Sequence, residues 1–135
     1  MVEPTQRDVD ILLKLWEMHS SERMLDAMGW ILSEFSARDY EEFKHKYPRG
    51  SEGRKKFTLV CGMYELAGVL ITRGLLNEDL YFDLIGGIEA VWGKIQPVLP
   101  GWRAEVDPRM YENFELLHQE YQRWRHTHPP KLSSR

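Results

Sequence analysis

Two Glu-x-x-His pairs, Glu42–His45 and Glu115–His118, are the residues in this sequence best suited to do chemistry. Positions three apart share a helix face, so each pair can present a carboxylate and an imidazole to one ion. With single glutamates at Glu65 and Glu89 they complete the inventory of a di-iron or di-manganese carboxylate centre. In such a centre carboxylates bridge the metals and imidazoles fill the open coordination shells. The apolar pattern argues against it. Tyr40, Phe43 and Tyr47 turn inward and leave Glu42 and His45 on the polar side, while Glu115 and His118 flank the apolar stripe of their helix. The dimetal enzyme stands as an alternative, and no cofactor is expected.

Glu65 draws notice without a metal, as the one charge between Phe57 and Ile71 with no cation three or four residues away. A carboxylate in such a run must find a partner elsewhere or raise its pKa. Arg73, Arg103 and the donors of nearby tyrosines and tryptophans are the candidates, and a structural hydrogen bond is favoured over a functional carboxylate. A second cluster, Lys44, Lys46, Arg49, Arg54, Lys55 and Lys56, surrounds the loop before a helix start. Cations there oppose the helix dipole, which a bound anion would relieve. The opposing reading is a solvated face balanced by Glu41, Glu42 and Glu52. No interleaved stacking aromatics accompany the cluster, which argues against nucleic acid. No Cys/His or Ser/His/Asp arrangement, glycine-rich phosphate loop or Cys-x-x-Cys pair occurs.

The elements that hold these residues read as helices throughout. Thr5 with Asp8 forms a capping-box variant for a first helix to about His19. Val9, Leu12, Leu13 and Trp16 make one apolar face of it, and Ile11, Leu15 and Met18 another. So broad a surface must be covered twice, by the core and by something else. Ser20 or Ser21 caps a second helix, and Ser36 with Asp39 a short third one that Pro48 stops. Ser51 opens a long fourth helix to Arg73, where Gly74 supplies a positive-φ C-cap and Leu75 folds back as in a Schellman motif. Asn77 caps a fifth helix, Glu78 to about Val98, bent at Gly86–Gly87 and closed by Pro100–Gly101. Asp107–Pro108 starts a sixth, with Val106 and Tyr111 as its staple and Met110, Phe114, Leu117, Tyr121 and Trp124 inward. The tail from Thr127 is read as loose.

The fold expected is therefore all-α: a compact single domain over residues 1–135, about six helices around a central antiparallel hairpin of the fourth and fifth. Five helix-interior glycines, Gly62, Gly68, Gly86, Gly87 and Gly93, each cost about 1 kcal/mol relative to alanine. Small stripes at Gly86, Ala90 and Gly93 and at Cys61, Gly68 and Thr72 suggest close backbone packing as the offset, rather than a cofactor lying over the glycines.

An apolar fraction of 42%, a charged fraction of 29% and a net charge of −3 describe an ordinary globular chain without the basicity of a nucleic-acid binder. The polar N-terminus does not read as a secretory signal, so none is expected, and Phe57–Ile71 is shorter than the ~20 residues that span a bilayer. A single cysteine, Cys61, in an apolar run fits a reducing, cytoplasmic compartment.

The stretch from Phe57 to Pro97 resembles the bacterial family known as domain of unknown function 4760. The resemblance rests on YELAGVLITRGLLNEDL, from Tyr64 to Leu80, followed by VWGKIQP ending at Pro97. It implies an all-helical fold and no assigned activity. Many members look as though they carry membrane-spanning segments before this region, and none is expected here. The function expected is a non-catalytic interaction or regulatory module that binds itself or a partner helix through Ile11, Leu15, Met18 and Trp30.

Overall fold

Five helices of the computed structural model, which describes residues 2–132, begin at a residue whose side chain accepts from one of their first free amides. α1 (Gln6–Ser20) opens on the Thr5–Asp8 capping box. α2 (Glu22–Ser33) is capped by Ser21, α4 (Glu52–Thr72) by Ser51 and α5 (Glu78–Leu84) by Asn77. α3 (Tyr40–Lys46) is capped by Asp39, which accepts from the Glu42 amide at 2.9 Å; Ser36 binds Lys46 instead of forming a box. Helix α4 ends in the expected Schellman pair, Leu75 N–H to Leu70 O and Gly74 N–H to Ile71 O, with Gly74 at φ 71°. Leu76, not Leu75, takes the buried position after it.

Beyond Leu84 the chain departs from the single long helix that the spacing predicts. Residues 85–87 are non-helical, with Gly87 at φ 86°, and are followed by α6 (Ile88–Ile95), a 3₁₀ turn (Gln96–Val98) and α7 (Leu99–Glu105). The break is held by Tyr64, whose buried hydroxyl donates to the Gly86 carbonyl at 2.9 Å. Pro97 and Pro100 lie in the first turns of the 3₁₀ turn and α7, where a missing N–H costs nothing, so they shape the path without ending it. Residues 108–111 form turns rather than helix, and Tyr111 at φ 51° immediately precedes α8 (Glu112–Thr127). Its ring packs on Phe57 and Trp102, which offsets the left-handed backbone.

Eight α-helices and the 3₁₀ turn thus form an all-helical bundle among the described residues, with α4 at its centre. The turn after Gly74 reverses the chain as expected, but α5 is two turns long and α8 is the main neighbour of α4. Phe57 meets Tyr111, Glu65 meets Phe114, and Leu70 shares a groove with Leu116. Contacts in that order mean that α4 and α8 run in the same sense. Gly68 allows the approach, since a Cβ there would sit 2.6 Å from the Asn113 carbonyl carbon. The predicted small stripe at Gly86, Ala90 and Gly93 packs nothing: Gly86 lies in the break, and Gly86 and Gly93 have no atom within 4 Å of a built Cβ. Phe35, Phe43, Phe57 and Trp102 fill the other end of the core, Phe43 and Phe57 with centroids 4.7 Å apart.

Two contacts at the edges of the bundle give predictions. Removing the Tyr64 hydroxyl leaves the Gly86 carbonyl without its donor, so Tyr64→Phe should cost about 1 kcal/mol in denaturant unfolding. Asp8 accepts from the Thr5 amide and, across the fold, from the Asn77 amide at 2.9 Å; these bonds lower its pKa. A lowered carboxyl pKa contributes stability above its ordinary value of 3.8, lost as pH falls through the folded-state value. Asp8→Asn should be less stable than the parent at neutral pH, with the two thermal midpoints converging in acid.

Candidate functional site

The six residues that could have held two metals are not brought together. Glu42 accepts from the Arg38 amide at 3.1 Å and faces Lys46, while His45 is exposed on α3. Glu115 pairs with Arg103 at 2.6 Å. Glu89 and His118 do meet, at 2.8 Å between α6 and α8, with the imidazole stacked on Trp92. His118 is thus buried, whereas the sequence pattern puts it beside the apolar stripe. Among the described residues no three His, Cys, Asp or Glu side chains are grouped to hold a metal ion.

Glu65 makes structural hydrogen bonds to α8, with partners other than those its sequence neighbourhood suggests. Its Oε1 accepts from the Phe114 amide and its Oε2 from Asn113 Nδ2, both at 2.9 Å. Tyr111 gives α8 no side-chain cap, so Glu65 caps that helix from α4, its negative charge at the positive end of the dipole. Arg73 and Arg103 are not its partners; Arg103 is bonded to Met110 O and Glu115.

The basic cluster disperses into internal pairs. Lys44 binds Glu41 and Glu105, Lys46 binds Ser36, Lys55 faces Glu52 and Lys56 faces Asp26. Arg54 donates to the Tyr47 carbonyl at 2.9 Å and lies over the Phe43 ring, where burial lowers its pKa. Arg49 is exposed. Cys61 is fully buried, and burial together with the nearby Glu65 pushes its thiol well up, away from reactivity.

The predicted interaction face of α1 divides differently. Leu15 is 4% exposed and belongs to the core. Ile11 is half-buried and Met18 exposed. Trp30 is half-buried, packed edge-on to Tyr47 at 5.2 Å and beside Phe35. Ile11 alone of the four lines an open groove of about 1160 Å³. Its apolar lining includes Ile11, Leu70, Leu75 and Leu116 beside Val2, Ile71 and Leu76, with Leu75 and Leu116 53% and 41% exposed.

Carboxylates rim this groove. Glu3, Asp8, Glu78, Asp79 and Glu120 line it, against Arg7 and His128. Asp8 is committed to its amides, and Asp79 to Trp124 Nε1 at 2.8 Å and His128 at 3.0 Å. Glu120 pairs with Arg123. Glu78 sits against Glu120, and partial burial followed by that neighbouring carboxylate raises its pKa; His128 offsets this in part. The same histidine stacks on Trp124, and Lys131 pairs with Asp83 of α5 at 2.6 Å; residues 133–135 of the tail lie outside the described residues. Sequence reasoning passed over the groove, although Leu116, an apolar residue off the inward stripe of α8, was its visible signal.

Among the described residues no helix is long and apolar enough to cross a membrane. No curated protein and no solved structure matches the chain. The profile of one family matches residues 4–124, well beyond the stretch from Phe57 to Pro97, and it spans α1, the Glu65–α8 junction and most of the groove. The chain belongs to the family described as domain of unknown function (DUF4760).

Proposed function

We propose that this chain is a non-catalytic protein-interaction module, a single helical domain whose docking face is the groove between α1, the end of α4, the turn into α5, and α8. The observation that carries this is the exposure of Leu75 and Leu116 in a concavity of about 1160 Å³. Apolar side chains gathered in a groove gain free energy when a partner covers them, at about 25 cal/mol per Å² removed from water. The same surface includes Ile11 and so retains part of the face expected from the sequence of α1.

A photo-crosslinking residue placed at Leu116 and, separately, at Leu25 tests the proposal in cells. Leu25 is 55% exposed on α2 and does not line the groove. Position 116 should give a discrete protein adduct that position 25 does not, and Leu75→Asp should abolish it. No adduct at 116, or the same adducts from both positions, would sink the reading.

A further inference from the structure

We propose that the groove takes a cationic amphipathic helix of a partner protein, its apolar face on Ile11, Leu70, Leu75 and Leu116 and a lysine or arginine between Glu78 and Glu120. This rests on the docking reading above and names the occupant. Three observations point to it. The described residues contain no strand, so an extended peptide would find no sheet edge to satisfy its backbone, whereas a helix satisfies its own. The four apolar residues come from three helices and a turn, which form a trough for the stripe of a helix rather than a closed pocket for a compact ligand.

Charge supplies the third. Glu78 and Glu120 both line the groove and lie close together, Glu120 also pairing with Arg123, and Leu116 and Glu120 lie one turn apart on α8. A ligand residue anchored on Leu116 therefore places its own neighbour, three or four positions on, at the carboxylate pair. A cation there removes the repulsion between the two acids. An acidic residue adds to it, so the same pair excludes anionic helices.

Three designed peptides of about 14 residues, long enough to form helix on binding, serve as probes in fluorescence anisotropy against the whole chain. One carries a leucine stripe with lysines beside it, the second the same stripe with glutamates, and the third the lysines with serines in place of leucines. The leucine–lysine peptide should bind at least tenfold more tightly than either of the others, and added salt should weaken it. Glu78→Gln with Glu120→Gln should reduce its affinity about tenfold and improve that of the leucine–glutamate peptide. Equal binding of the two leucine peptides would overturn the cationic preference while leaving the groove as a docking site. Equal binding of the serine–lysine peptide would reduce the effect to surface charge and overturn the helix proposal. If neither leucine peptide binds, or Leu116→Ser changes nothing, the docking reading fails as well. A concentration-dependent dimer lost in Leu116→Ser would assign the groove to a second copy and overturn the proposed partner.

Discussion

Gly68→Ala should lower the thermal midpoint by roughly 10 °C, while Gly62→Ala, six residues earlier on α4, should raise it slightly. Gly68 is buried where the N-terminal turn of α8 crosses α4, and a Cβ there would lie 2.6 Å from the Asn113 carbonyl carbon and closer still to its oxygen. The obstacle is backbone, so no side-chain rotation relieves it, and α8 must move outward or the two helices must separate. Overpacking of this kind costs about 3 kcal/mol. For a chain of 135 residues that corresponds to roughly the stated shift. At Gly62 no atom lies within 4 Å of the built Cβ. Alanine there restores helix propensity, and up to about 1 kcal/mol of stability. Differential scanning calorimetry of the two variants gives opposite signs if α8 approaches α4 at Gly68. A common sign would refute that approach.

The second large effect falls on Glu65. Glu65→Ala should cost about 2 kcal/mol in urea unfolding, because the Phe114 backbone amide, at a buried residue, and Asn113 Nδ2 lose their acceptors together. Glu65→Gln keeps one acceptor for the Phe114 amide and should recover about half of the loss. Asn113→Ala in the Glu65→Ala background should then cost less than Asn113→Ala alone, since the two share one interaction. Additive losses would mean that the carboxylate acts through something other than the start of α8. Glu65 and Gly68 are one turn apart on the same helix, so Gly68 admits the backbone of α8 while Glu65 accepts from the Phe114 amide and the Asn113 side chain. The YELAG segment from Tyr64 to Gly68 is thereby a specification of where α8 begins: Tyr64 stacks on Phe114 at 4.9 Å, Glu65 caps and Gly68 yields space.

The readings that succeeded were those in which all the partners lie within a turn or two of one another. The Thr5–Asp8 box, the Ser21, Ser51 and Asn77 caps and the Schellman turn at Gly74 each close their hydrogen bonds over three to five residues. The inward stripe of Phe114, Leu117, Tyr121 and Trp124 follows from helical period alone and is found buried or packed on the core. Where spacing misled, long-range contacts overrode a locally plausible pattern. Asp107–Pro108 has the chemistry of a helix start, yet the helix begins at Glu112, because Glu65 supplies the cap from 49 residues away. Gly86–Gly87 reads as a bend in one helix, but the Tyr64 hydroxyl, 22 residues back, captures the Gly86 carbonyl and ends it.

The candidate site divides along the same line. Its residue types were visible: a leucine after Gly74, another off the stripe of α8, and acids in the first turn of α5. Their convergence depends on α1, α4 and α8 packing at one end of the bundle, and the period of a helix carries no information about which helix will lie beside it. Sequence by itself determined the helical class, most of the caps and the inward faces, because backbone hydrogen bonding and amphipathic burial act within single helices. Tertiary structure alone decided that Glu65 caps, that Gly68 touches α8, and that Leu75, Leu116, Glu78 and Glu120 share a groove. Those outcomes depend on side chains 40 or more residues apart filling one volume, a property of the packed core rather than of any one segment.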